Sequence, residues 1–152
     1  MAQKKPVLLY VFVFAAAFLV LIQVIPYGKD HVNPPVLSEP SWDSPQTRDI
    51  ALRACFNCHS NQTIWPWYSN IAPASWLVMH DVNEGREHLN FSDWDKQKKG
   101  EKLVKEINEV ITENDMPPLP YRLAHPEARL SEAEKQALLK GLLNTLNASP
   151  VQ

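Results

Sequence analysis

The chain has only two cysteines, and they stand three apart with a histidine directly after the second: Cys55-Phe56-Asn57-Cys58-His59. Two thiols one helical turn apart share a face, so each can add to one vinyl group of the same porphyrin. The adjacent imidazole is then held beneath the iron as the proximal ligand. This is the C-x-x-C-H pattern of covalent c-type haem attachment. With two cysteines and five histidines in 152 residues, the coincidence is expected on the order of once in two thousand random arrangements, so chance is a weak competitor. Three other readings use the same residues. A dithiol redox site normally opens a helix in a strand–helix–strand pattern, whereas the flanks here read as helix and loop. A zinc site needs four ligands, but no second Cys pair exists and His31, His80, His88 and His125 are scattered singly. A structural disulfide leaves His59 without a role.

The second constraint is an apolar run, VLLYVFVFAAAFLVLIQVI, over Val7–Ile25, whose only strongly polar member is Gln23. At ~1.5 Å per residue it spans about 28 Å, close to the thickness of a bilayer's hydrocarbon core. It runs on into Pro26-Tyr27-Gly28-Lys29 with no small-residue cleavage site, which favours an uncleaved signal anchor over a cleaved signal peptide. Lys4 and Lys5 precede it and no acidic residue occurs before Asp30. The positive-inside tendency therefore places residues 1–6 in the cytoplasm as a tail and everything beyond residue 26 outside. That is also the side on which c-type haem is attached. The net charge is −2, and no basic patch suited to nucleic acid is present.

Residues 26–43 contain Pro34, Pro35 and Pro40 and show no periodicity, reading as a proline-rich linker. Ser44-Pro45 opens a helix that runs into the cysteine pair, and residues 44–148 read as one soluble domain. A further helix begins at Pro73-Ala74-Ser75 and fades near Gly85. Another follows Ser92-Asp93-Trp94-Asp95, read as a capping box. Its apolar residues Leu103, Val104, Ile107, Val110 and Ile111 fall on one face. Lys96, Lys98, Lys99, Lys102 and Lys105 lie beside Glu101, Glu106 and Glu109 as a solvated face. A last helix opens on Ser131-Glu132-Ala133-Glu134 and continues through Leu138, Leu139, Leu142, Leu143 and Leu146. The expected fold is mostly α: one N-terminal transmembrane helix and a small cytochrome-c-like helical domain.

Two further groups of residues are candidates for the site. Trp65, Trp67 and Tyr68, in a dense aromatic loop, are candidates for walling the haem and excluding water, with ordinary core packing as the alternative. Met116 is the candidate sixth ligand of the iron, in a loop stiffened by Pro117, Pro118 and Pro120. His80, His125, Met79 and a vacant position are its rivals.

The stretches Trp42–Arg48, Arg53–Asn61, Trp65–Pro73 and Glu84-Gly85-Arg86 resemble the bacterial haem-binding domain family, small and often membrane-anchored proteins with one C-x-x-C-H. Met116-Pro117-Pro118 and His125-Pro126 are similar to its C-terminal part. The resemblance covers roughly residues 30 to 146 and implies haem c binding in a cytochrome-c-like helical fold. It implies Cys55 and Cys58 as thioether anchors and His59 as proximal ligand, and it leaves the physiological partner open.

The expected function is that of a membrane-anchored mono-haem c-type cytochrome. It transfers single electrons on the periplasmic side of a bacterial inner membrane, between redox partner proteins of unstated identity. A haem-based sensor of small ligands and a peroxidase-like enzyme are the alternatives. The second needs an open distal side with acid–base groups above the iron.

Overall fold

The computed structural model describes residues 5–97 and 100–148. The expectations placed on Lys4, Lys98 and Lys99 fall outside them. The described chain is mostly helical: α1 (Lys5–Leu21), α2 (Pro45–Ala54), α3 (Phe56–His59), α4 (Ala74–His88), α5 (Glu101–Thr112), α6 (Leu119–Ala124) and α7 (Glu132–Ala148). Among the described residues no strand forms, and the only sheet-like pairing is an isolated bridge between Ser38 and Asp93. The residues group into two compact units.

One unit comprises the chain through Val32 together with Trp65–Asp81. The segment Pro6–Val24 is long and apolar enough to cross a membrane. Its large side chains from Val7 to Phe14 are exposed, so this is not a helix wrapped in a core of its own chain. The helix ends in a 3-10 turn, Ile22–Val24. There the Gln23 amide closes on the backbone of Ala72: Nε2 donates to the Ala72 carbonyl and Oε1 accepts from its N–H, both at 2.9 Å. Lys29 Nζ donates to the Gln23 carbonyl. Gly28, at φ +80°, presses so closely on the start of α4 that a Cβ there would sit 2.3 Å from the Ser75 carbonyl oxygen. No other residue type accommodates both the dihedral and the contact.

The other unit comprises Asn33–Ile64 and the chain from Val82 onward. Its core is one cluster that includes Ile50, Ala51, Phe56, Phe91, Trp94, Ile107, Ile111, Leu138 and Leu142. α2 starts as its sequence suggests, with Ser44 Oγ accepting from Thr47 N at 3.2 Å and Pro45 in the first helical position. α7 starts with a reciprocal box: Glu134 N donates to Ser131 Oγ at 3.3 Å, and Ser131 N donates to the Glu134 carboxylate at 2.8 Å. α5 turns Ile107 and Ile111 into the core, with Leu103, Val104 and Val110 partly buried beside them. On its outer side Lys102–Glu106 and Lys105–Glu109 pair at 3.5 and 3.6 Å, as expected of a solvated helix face.

The box expected at Ser92–Asp95 does not form. Ser92 Oγ accepts from Asn61 N, and Ser92 N donates to Asn90 Oδ1. With its hydroxyl so engaged, only a 3-10 turn follows at Trp94–Lys96, and α5 begins at Glu101. α4 also runs past Gly85 to His88. The stretch after Asn33 is tied to this unit by Asn33 Nδ2 donating to the Thr63 carbonyl, Leu37 N to the Ser92 carbonyl, and Trp42 packing on Phe91 with ring centroids 5.1 Å apart.

α2 and α7 meet where α7 has no side chain. A Cβ on Gly141 would lie 2.0 Å from Thr47 Oγ1 and 2.6 Å from its Cγ2. Gly141→Ala is therefore expected to lower stability by about 1–3 kcal/mol through overpacking. Adding Thr47→Ala should recover part of that loss. Denaturant midpoints at constant m-value measure both effects; additivity of the two substitutions would contradict the contact.

Candidate functional site

The Cys55–His59 segment is a single tight turn. Cys55 closes α2 by donating its N–H to the Ala51 carbonyl at 2.8 Å. Its own carbonyl then accepts from Cys58 N at 3.1 Å and His59 N at 2.9 Å. The two residues between the cysteines do different work. Phe56 is buried in the core, stacked on Phe91 with centroids 5.3 Å apart. Asn57 is a clamp: Oδ1 accepts from Ile64 N at 2.9 Å and Nδ2 donates to the Tyr121 hydroxyl at 2.7 Å. The turn is thus anchored inward by one side chain and bonded to α6 by the next.

The imidazole of His59 is oriented by its own backbone neighbourhood. Nδ1 lies 2.9 Å from the Leu89 carbonyl oxygen. A carbonyl only accepts, so Nδ1 carries the proton and the lone pair is left on Nε2, the tautomer a metal-binding histidine needs. Burial lowers the His59 pKa, against the pull of the Leu89 and Gly85 carbonyls, so the ring is held in its neutral form. His59 in turn offers its carbonyl to Phe91 N at 2.8 Å.

Burial also pushes the Cys55 thiol up to about 12, with the neighbouring Cys58 adding to the shift. A redox dithiol needs the opposite, a thiolate near neutral pH. Among the described residues no group of three or more His, Cys, Asp or Glu side chains is gathered as a zinc site requires. The raised Cys55 thiol weighs against the redox-dithiol reading of the cysteine pair. The residues present fit a porphyrin: two thiols, an imidazole with a directed lone pair, and exposed apolar side chains on segments bonded to the same turn. Those side chains are Ile64, beside Asn57, and Leu119 and Leu123, one helical turn apart on α6.

α4 reaches the turn through two residues that spacing alone does not reveal. At Gly85 a Cβ would come within 2.6 Å of the Cys58 carbonyl oxygen and 3.0 Å of Cys58 Cβ. One residue on, the Arg86 guanidinium donates to the Ser60 carbonyl at 2.9 Å, to Asn33 Oδ1 at 3.0 Å and to Thr63 Oγ1 at 3.0 Å. Thr63 Oγ1 passes its own proton to the Asn57 carbonyl at 2.8 Å. Together these bonds fix the segment that leaves the motif. A Glu-Gly-Arg sequence next to no other chemistry was the only local signal for them.

The remaining candidates lie in different places. Met116 is 40 % exposed. It lines a cleft of about 270 Å³ with Pro117, Leu119, Leu123 and Arg122, just before the helix that Tyr121 bonds to Asn57. His125 is engaged structurally: Nδ1 lies 2.9 Å from Glu127 and the ring stacks on Tyr121 with centroids 4.3 Å apart. His88 is a surface residue 3.6 Å from Glu84. Met79 and His80 belong to the unit that contains the apolar helix, as do Trp65, Trp67 and Tyr68. Trp65 stacks on His31 with centroids 4.5 Å apart, and Trp67 meets Tyr68 edge-on at 5.9 Å.

Two substitutions probe the support of the turn. Gly85→Ala is expected to cost about 1–3 kcal/mol and to lower the yield of haem-bearing protein. Arg86→Lys, which keeps the charge and loses the fork, should cost about 1.5–3 kcal/mol. Chemical denaturation read alongside the haem-to-protein absorbance ratio checks both. Wild-type values for either variant would contradict these contacts.

A family model described as a haem-binding domain matches residues 17–144, most of the chain and all of the site. No match was found among curated proteins or among solved structures. The match takes in the Cys55–His59 turn together with every segment bonded to it, and the chain belongs to the haem-binding domain family.

Proposed function

We propose that this protein is a membrane-anchored mono-haem c-type cytochrome that carries single electrons. The observation that carries the reading is the Cys55–His59 turn with its Nδ1-protonated imidazole. In this reading each thiol adds across one vinyl group, the sulfur bonding to one vinyl carbon and the displaced proton passing to the other. The product is two thioethers at Cys55 and Cys58, with no net oxidation. His59 Nε2 and Met116 Sδ would hold the iron, a donor pair that raises the reduction potential relative to two histidines. The bound haem supplies a ferric–ferrous couple. Around it, the chain's own residues hold the imidazole (Leu89), fix the turn (Phe56, Asn57, Gly85) and cover the porphyrin with apolar side chains (Ile64, Leu119, Leu123).

The apolar span Pro6–Val24 supports single-pass anchoring. The lysines before it favour an orientation with the haem domain in the periplasm, on the outer face of a bacterial inner membrane. There the protein would exchange electrons with redox partner proteins at the membrane surface. Met116 is preferred to His125 as sixth ligand because Pro117, Pro118 and Pro120 stiffen the loop that carries its flexible thioether.

The oxidised protein is expected to show the weak long-wavelength sulfur-to-iron absorption band, which Met116→Ala should abolish. Carbon monoxide should bind the reduced wild type slowly and the variant rapidly. A wild type that lacks the band and binds carbon monoxide at once would replace the carrier reading with a ligand-binding or peroxidase-like one.

A further inference from the structure

In the anchor's unit the aromatic segment lies beside the end of the apolar helix, and its position follows from one side chain. Gln23 is the only strongly polar residue in the apolar run and stands one residue from the end of the Pro6–Val24 span. Both halves of its amide bond to the peptide groups of Ala72 at 2.9 Å. A side-chain amide reaches only a few ångströms, so Ala72 lies at the depth of the helix's last turn. Gly28 against Ser75 holds the chain after the span to the same segment at a second point.

What the segment presents at that depth is distinctive. From Trp65 to Met79 there is no charged residue, and the stretch holds Trp65, Trp67, Tyr68 and Trp76. Trp67 is 76 % exposed, Ile71 47 % and Leu77 50 %. Large exposed apolar side chains without an intervening charge mark a surface that is covered by something. Tryptophan and tyrosine concentrate where hydrocarbon meets headgroups, because their rings are apolar with one polar handle.

We propose that the Trp65–Leu77 segment is a lipid-binding surface, with Trp67, Ile71 and Leu77 inserted among the headgroups and upper acyl chains beside the exit of α1. The proposal rests on the membrane-anchor reading and extends it. The anchor is a helix plus an interfacial foot, which restricts tilt and rotation about the helix axis. Trp67 then serves the membrane and not the haem.

Full-length oxidised protein labelled with fluorotryptophan and inserted in nanodiscs tests this by fluorine NMR. The resonance that disappears in Trp67→Phe belongs to Trp67. It is expected to lose most of its intensity when the discs contain lipid with a nitroxide near the headgroup end of the acyl chain. It should keep most of it with a water-soluble gadolinium chelate. The core residue Trp94 should survive both agents. Loss to the chelate alone would mean that Trp67 faces water; protection from both would mean that it faces protein or haem. Either result overturns the proposal while co-elution with the discs leaves the anchor intact. Failure to co-elute overturns both.

Discussion

The site depends on how closely α4 lies against the Cys58 peptide. A helix can approach another segment's backbone this closely only where it lacks a side chain, and Gly85 supplies that gap. The approach brings the end of α4 alongside the turn, so that the chain leaving the helix passes the Leu89 carbonyl to His59 Nδ1. It also brings the Arg86 guanidinium over the Ser60 carbonyl and Thr63. Imidazole orientation, ring tautomer and the exit path of the motif all follow from one contact between a glycine and a cysteine.

This arrangement leaves the reactive groups electrically quiet until a porphyrin is present. The Cys55 thiol is kept protonated by burial, and the His59 ring is kept neutral. Phe56 sits in the same core as Phe91, Trp94 and the leucines of α7, so the hydrophobic core helps to position the turn. If His59 holds the iron as proposed, its pre-positioned imidazole would lower the entropic cost of placing the metal, and its carbonyl partner would raise its basicity as a ligand.

Much of this was legible in the sequence because it is local. The Cys55–His59 spacing, the Ser44-Pro45 start, the Ser131/Glu134 box and the one-faced pattern of α5 are short-range patterns, and each appears in the structure. The failures share a different cause. Ser92 reads as a helix cap, but its hydroxyl is taken by Asn61, a partner thirty-one residues away. Gly85 reads as the fading end of a helix, yet it sits inside α4 because packing on Cys58 outweighs its poor propensity. Asn57 carries no signal beyond being the second residue between two cysteines. The grouping of residues 65–81 with the chain through Val32 rests on long-range contacts, the Gln23 amide on Ala72, Gly28 against Ser75 and His31 stacked on Trp65, and nothing in the local composition announces that pairing.

The most direct test of covalent attachment is the mass of the intact polypeptide under denaturing conditions, after expression with extracytoplasmic haem-attachment machinery. Two thioethers from Cys55 and Cys58 predict a single species heavier than the chain by one whole haem. The increment should vanish in the Cys55→Ser/Cys58→Ser double variant. A chain at its bare mass, or lighter by two hydrogens from a disulfide, would contradict it.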